Sequence, residues 1–69
     1  MSEYVVTYEQ AHGGWGAYIP DLPGVIALGA TRDEVEAGIE EALSAYAEDL
    51  RERGVSLPAP HHSAGTVAA

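Results

Sequence analysis

The stretch WGAYIPDLPGVIALGAT, residues 15–31, decides how the rest of the chain is arranged. Trp15–Ile19 is typical of a strand, and Pro20 ends it because proline has no N–H to donate to a neighbouring strand. Asp21–Gly24 predicts a tight bend, since proline presets one φ angle and glycine permits a left-handed one. Val25–Leu28 is apolar on both faces, a pattern that indicates burial on two sides. We expect a helix to cover one face of this strand and a second subunit to cover the other.

The segment before this stretch predicts one further strand. Tyr4–Tyr8 is rich in β-branched and aromatic residues and contains neither glycine nor proline. Ala11–Gly14 then predicts a hairpin turn, in which the paired glycines supply positive φ angles and His12 is a solvated loop residue. Side chains alternate between the two faces of a strand, and we expect the buried face to consist of Tyr4, Val6 and Tyr8.

The segment after the stretch predicts one long helix, from the N-cap Thr31 to about Arg53. Thr31 and Glu34 have the spacing of a capping box, and Gly54 is the left-handed residue expected beyond a helix end. Gly38 in the interior costs about 1 kcal/mol relative to alanine, which a close approach to the sheet would compensate. The apolar stripe predicted to face the sheet recurs at helical spacing and consists of Val35, Ile39, Ala42, Leu43, Tyr46 and Leu50.

Residues 56–69 are expected to form an extended tail, because Pro58 and Pro60 each push the preceding residue out of the helical region. Within the tail, Gly65–Ala69 predicts either a short fourth strand at the sheet edge or a frayed end, and we favour the strand. The predicted fold class is therefore α+β. It combines a three-stranded antiparallel sheet, one long helix and a short fourth strand (β-β-β-α-β) in a single domain of residues 1–69.

Composition indicates an oligomeric, acidic protein. The chain has 69 residues and no cysteine, so it can bury only about 60% of its unfolded surface and has no disulfide to compensate; we expect a homo-oligomer. Three basic and eleven acidic residues give a net charge of −8, which argues against nucleic acid and against an anionic membrane surface. The charge suits a basic protein partner or simple solubility. No apolar run approaches the roughly 20 residues of a membrane span and no signal peptide is visible, so we expect a cytoplasmic location.

The residue pattern contains no catalytic constellation, and we predict neither an enzyme nor a cofactor or metal site. His61 and His62 are adjacent on an extended segment, so their side chains point apart, whereas zinc needs three or four converging ligands. Asp21 is set among apolar residues; burial could tune its pKa for acid–base work, but a turn residue bonding its own backbone is the simpler interpretation. Trp15 and Tyr18 are candidates for partner contact because exposed aromatic side chains anchor interfaces. Core packing is the alternative role for each of them. The residues predicted to contact a partner are Trp15, Tyr18 and Asp21.

Taken together, four groups of residues resemble the HicB-like antitoxin family: Gly13-Gly14-Trp15, Ala17–Gly24, Gly29-Ala30-Thr31 and Glu40-Glu41-Ala42-Leu43. The resemblance runs from about Glu3 to Pro60, and its specific part is P-D-L-P-G followed by G-x-T and an acidic helix. The family fold is a partial RNase H-like β-β-β-α-β unit, which agrees with the arrangement predicted from the residues. The positions of the structural motif are Pro20, Asp21, Pro23, Gly24, Gly29, Thr31 and Glu34.

The resemblance also implies a function. HicB-like proteins bind and neutralise a small basic HicA-like toxin, a ribonuclease that cleaves mRNA and has a fold like that of double-stranded-RNA-binding domains. Many carry a C-terminal DNA-binding segment that represses their own operon; we expect no such segment here, so autorepression is not carried over from the family. The implied protein is a dimeric or tetrameric antitoxin that makes no direct contact with nucleic acid. The alternatives that stay open are an orphan self-associating domain without a toxin and a residual nuclease around Asp21.

Overall fold

The computed structural model describes residues 3–69. In chain order these contain strands β1 (Thr7–Ala11), β2 (Gly14–Tyr18) and β3 (Ile26–Gly29), followed by helix α1 (Arg32–Glu52). The strands form an antiparallel sheet in the order β1-β2-β3, and α1 packs against β2 and β3 on one face of this sheet. The predicted α+β class, with three strands followed by one long helix, is confirmed.

The first strand begins later than the sequence pattern predicts, at Thr7 rather than Tyr4. A two-residue turn fixes the register of the hairpin, and this register ends the pairing at Thr7, which lies opposite Tyr18. Beyond that point β2 runs into Pro20, which has no N–H with which to extend the ladder. The third strand is shifted as well, because Val25 is taken up by the bend before it.

The core lies between the sheet and α1, and in the described residues it is entirely apolar. Tyr4, Val6 and Tyr8 are partly buried and pack against it, which confirms the face predicted for the first segment even though only part of that segment is strand. The small number of fully buried side chains means that each contributes a large share of the stability. The buried residues are Ala17, Ile19, Leu22, Val25, Val35 and Ile39.

The bend between β2 and β3 supplies two of the most deeply buried side chains. Leu22 is 0% exposed and Val25 is 1% exposed. The Leu22 N–H donates to the Ile19 carbonyl at 3.0 Å, and the Val25 N–H donates to the Leu22 carbonyl at 3.0 Å. Gly24 has a φ of 101°, a conformation that glycine adopts without steric cost. The bend is therefore part of the core as well as a connection.

The N-terminus of α1 has the predicted capping arrangement with one difference. The Oγ1 of Thr31 accepts a hydrogen bond from the Glu34 N–H at 3.1 Å. The Glu34 carboxylate accepts one from the Ala30 N–H at 2.9 Å, whereas in a capping box this side chain usually bonds the N–H of the N-cap itself. The two bonds fix the direction in which the chain passes from β3 into the helix.

The C-terminus of α1 ends in a Schellman motif around Gly54, which has the left-handed conformation that the sequence predicts. The Val55 N–H donates to the Leu50 carbonyl at 2.9 Å, and the Gly54 N–H donates to the Arg51 carbonyl at 3.0 Å. These are the two hydrogen bonds that define the motif, and they satisfy carbonyls that have no partner within the helix.

Gly38 marks the point where α1 approaches the sheet closely. A Cβ atom placed on this glycine would lie 3.3 Å from the Cβ of Ala27 on β3. The absence of a side chain therefore allows the helix to sit close to the sheet, and this contact offsets the cost of about 1 kcal/mol that glycine has inside a helix.

The predicted fourth strand at Gly65–Ala69 is wrong. In the structure residues 55–69 form no strand. Residues 65–69 are all exposed, and Val67 at their centre is 94% exposed. Glycine and alanine have low strand propensity. Val67 is the one larger apolar residue of this segment, and because its side chain buries nothing, pairing as a strand would gain little. The tail is attached nearer to the helix, where the Tyr4 hydroxyl donates to the Pro58 carbonyl.

Candidate partner-binding surfaces

The three residues predicted to contact a partner lie on separate parts of the surface. Trp15 is at the hairpin end of β2 and is partly buried against the core. Tyr18 lies on the opposite face of the same strand and is 40% exposed. Asp21 lies in the bend, with a side chain that is only 3% exposed. The structure does not bring these three residues together.

The carboxylate of Asp21 holds the tail of its own chain. Its Oδ2 accepts the His61 N–H at 3.1 Å and the His62 N–H at 3.3 Å, and its Oδ1 lies 2.7 Å from the Nδ1 of His62. In place of the local turn contact that the sequence predicts, the carboxylate bonds a segment 40 to 41 residues away. We call these contacts the tail latch.

The tail latch favours the ionised form of Asp21. Burial by itself would raise the pKa of this carboxyl group. The hydrogen bond from the His62 ring, the backbone N–H groups of His61 and His62, and the charge of the ring together outweigh burial, so the pKa lies below its ordinary value of 3.8. The carboxylate is thus fully occupied by the tail, and its role in this structure is to position residues 61 and 62.

The sheet face that points away from α1 is uncovered and largely apolar. On β3, Ile26 is 62% exposed and Leu28 is 85% exposed, whereas Ala27 between them packs toward the core. The sequence predicted burial on both faces of this strand, and within one chain α1 covers only one of them. We call the uncovered surface the open sheet face; the register defines it as two rows across the strands, Thr7, Tyr18 and Ile26 in one and Glu9, Gly16 and Leu28 in the next.

The side of α1 that faces solvent carries most of the negative charge. Eight of the eleven acidic residues of the chain lie in α1. The exposed residues Asp33, Glu40 and Glu41 form no ion pair within residues 3–69, and with Glu48 they define what we call the acidic helix face.

The basic residues lie on the same helix and are already paired. Each arginine contacts a carboxylate about one turn away, and such exposed pairs contribute at most about 1 kcal/mol. Their effect is to bring every arginine of the chain next to a helix carboxylate. The pairs are Arg32–Glu36 at 3.0 Å, Arg53–Asp49 at 3.2 Å and Arg51–Glu48.

A groove of about 340 Å³ opens beside the β1–β2 hairpin. Trp15 and Leu28 line it together with Glu9 and His12, and glycine backbone supplies much of the remaining surface. Leu28 and Glu9 also belong to the open sheet face, so the groove continues that face to the end of the sheet. An apolar wall with a single carboxylate can accept an apolar or aromatic side chain of another protein.

Sequence reasoning missed the tail latch and the degree to which Leu28 is exposed. No local signal predicts that a histidine 41 residues away will bond Asp21, but the apolar residues on both faces of the third strand did indicate a face that one helix cannot cover. Within residues 3–69, no group of three or more His, Asp or Glu side chains is placed to hold a metal ion. No helix in that part of the chain is long and apolar enough to cross a bilayer.

Comparison with known proteins gives a family. A model described as HicB-like antitoxin of bacterial toxin–antitoxin system matches residues 4–69. The chain is also similar to UPF0150 protein Ta0767 of Thermoplasma acidophilum, with 31% identity over 58 residues that cover 84% of each chain. No solved structure matches it.

Proposed function

Because the chain belongs to the HicB-like antitoxin family of bacterial toxin–antitoxin systems, we propose that it neutralises a small basic HicA-like toxin, a ribonuclease that cleaves mRNA, by direct contact. The observation that carries this proposal is the acidic helix face, where Asp33, Glu40 and Glu41 stand exposed without an arginine partner among the described residues. The proposed role is binding, and it needs no cofactor.

Charge explains how such a surface would recognise its partner. Residues 32–53 contain eight acidic and three basic side chains, which leave five negative charges on one rigid helix. A concentrated field of one sign raises the rate at which an oppositely charged protein associates, and salt suppresses this gain. At physiological ionic strength salt screens the field over about 8 Å. The basic surface of the toxin must therefore come close to α1 before the field accelerates its association.

The same charge explains how binding would inhibit the toxin. A ribonuclease holds RNA largely through lysine and arginine side chains that neutralise phosphates. Carboxylates spaced along a helix offer those cations an alternative set of anions. The acidic helix face would therefore compete with RNA for the basic surface of the enzyme.

The aromatic residues predicted to contact a partner have a subordinate place in this proposal. Trp15 lines the groove beside the hairpin, and aromatic side chains at such positions commonly anchor an interface. Asp21 is engaged in the tail latch and would act only by positioning the tail.

The test is co-expression with any small basic protein that an adjoining reading frame is found to encode. That protein alone should arrest growth and cleave mRNA, and the present chain should restore growth. The variant Glu40→Gln/Glu41→Gln should lower the association rate about tenfold at low salt. The control Glu3→Gln removes a charge outside both α1 and the groove, and it should lower the rate less than either single substitution, Glu40→Gln or Glu41→Gln. Failure of the unaltered chain to restore growth would overturn the proposal.

A second candidate is an orphan domain that associates with itself and has no toxin partner. The open sheet face favours this candidate, because it is an exposed apolar surface on which self-association would need no toxin. The two candidates differ in one result. The orphan domain would form a defined oligomer but would neither bind nor inhibit the neighbouring basic protein.

A further inference from the structure

We propose that the groove beside the β1–β2 hairpin receives one arginine side chain of a basic partner protein. The methylene stem of that arginine would lie against Leu28, and its guanidinium group would bond the carboxylate of Glu9. This inference deepens the proposed function, on which it rests for the identity of the partner. It adds a point of contact on the sheet, on the side opposite to α1.

Two glycines of β2 leave the floor of the groove without side chains. Gly14 and Gly16 both line it, and Gly16 lies between Glu9 on β1 and Leu28 on β3 in one row of the open sheet face. Neighbouring strands are about 4.8 Å apart, so the two flanking backbones are about 10 Å apart across a residue that has no side chain. The volume of about 340 Å³ is at the low end of small-ligand sites, which span about 300–1,000 Å³. The groove therefore has room for one long side chain.

Leu28 supplies an apolar wall. Its side chain is 85% exposed, and a Cβ atom placed on Gly16 would lie 3.2 Å from its Cδ2, so Leu28 leans over the glycine. Arginine and lysine bury their aliphatic stems along apolar surface of this kind while their charged ends stay beside polar groups. The wall thus suits the stem of a basic side chain.

Glu9 gives the groove a negative charge that the chain itself does not neutralise. The residue is exposed, and it takes part in no ion pair within residues 3–69. All three arginines of the chain are paired with carboxylates of α1. His12, the other titratable residue of the lining, is counted as neutral at pH 7. The carboxylate is therefore available to a cation from another protein.

Arginine fits the combination of wall and carboxylate better than the other side chains do. An apolar or aromatic side chain would cover the wall, but it would also take Glu9 out of water without a counter-charge, which is costly. A lysine ammonium group is compact and strongly hydrated, whereas the guanidinium group is flat, more weakly hydrated and able to bond a carboxylate through two N–H groups. An anionic ligand would meet Glu9 on a chain whose net charge is −8.

The experiment is an NMR titration of the ¹⁵N-labelled full chain with the peptide acetyl-Gly-Arg-Gly-amide at constant ionic strength. One side chain binds weakly, so we expect a dissociation constant of about 1–10 mM. The largest amide shifts should be those of Gly14, Gly16 and Leu28. The same peptide with citrulline in place of arginine keeps the shape and removes the charge, and it should bind at least threefold more weakly. A lysine peptide should also bind more weakly than the arginine peptide.

Two pairs of variants test the wall and the charge separately. Glu9→Gln should weaken binding of the arginine peptide about threefold to fivefold, as expected for one exposed ion pair, whereas Glu3→Gln, the same change outside the groove, should have little effect. Gly16→Ala puts a methyl group on the floor beside Leu28 and should weaken binding, whereas Gly65→Ala, with nothing within 4 Å, should not. The dispersion of the NMR spectra should show that all four variants keep the fold.

Three results would overturn the arginine receptor. These are citrulline or lysine peptides that bind as tightly as the arginine peptide, undiminished binding by Glu9→Gln, and amide shifts that are largest in α1.

The titration needs no partner protein, so the receptor and the antitoxin role can fail separately. Binding of the arginine peptide in the groove by a chain that does not restore growth would overturn the antitoxin role alone. Restoration of growth by a chain that shows no shifts in the groove up to about 50 mM peptide would overturn the receptor alone.

Discussion

Replacing Leu22 by alanine is expected to lower the free energy of unfolding by about 3–5 kcal/mol. The side chain is 0% exposed, so the transfer free energy of the three removed carbons, about 0.8 kcal/mol each or roughly 2.4 kcal/mol together, is lost in full. The cavity left behind adds to this loss because the neighbouring side chains collapse only in part. A chain of 69 residues has a total stability of about 3.5–10 kcal/mol, at 0.05–0.15 kcal/mol per residue. The variant should therefore lie close to the limit of folding.

The assay is urea denaturation followed by circular dichroism, with all proteins at one concentration so that self-association affects them equally. Leu57→Ala is the matched control: it makes the same truncation in the tail, at a side chain that is 37% exposed and lies outside the core. Its cost should be at most about 1.5 kcal/mol, since part of the side chain is already in water and no closed cavity forms. If Leu22→Ala costs no more than Leu57→Ala, with the slope of the denaturation curve unchanged, the bend is not part of the core.

Three further results are expected. Thr31→Ala should cost about 1 kcal/mol in thermal unfolding while Thr31→Ser costs little; equal losses would argue against the cap. Asp21→Ala should speed hydrogen exchange of the His62 amide, measured by NMR, without changing α1. Because the folded-state pKa of Asp21 is lowered, the latch is complete above the ordinary value of 3.8 and is lost as the pH falls through the folded-state value; a pH-independent His62 signal would contradict this. Gly14→Ala should destabilise the sheet by about 1–3 kcal/mol, since its Cβ would lie 2.8 Å from a β3 carbonyl oxygen, whereas Gly65→Ala, with nothing within 4 Å, should be neutral in urea denaturation.

Helix α1 was predictable because its signals are local. Thr31 and Glu34 lie within one turn of the helix start, and Gly54 lies directly beyond its end, so each cap depends only on residues close in sequence. Glycine destabilises the interior of a helix, so its presence at position 38 predicted that the helix approaches the sheet closely there. Ala27 supplies the expected contact.

The strand limits and the candidate surfaces were less predictable because they depend on pairing. The start of β1 is set by where β2 turns toward Pro20, and composition alone favoured Tyr4 as the first residue. Leu22 has the sequence context of a turn, yet its side chain points into the core. The tail latch joins Asp21 to His62 across 41 residues, and no periodicity or motif at either end reports that contact.

The order of the strands has a kinetic consequence. Every neighbour in the sheet is also a neighbour in sequence, and α1 packs on the two strands that immediately precede it. Folds with such short loops to close reach the native state quickly, because little chain entropy is lost before each contact forms. The tail latch is the exception, since it closes a loop of about 40 residues. We therefore expect the sheet and helix to fold first and the tail to dock last, and in the native state the tail should open many times for each global unfolding event.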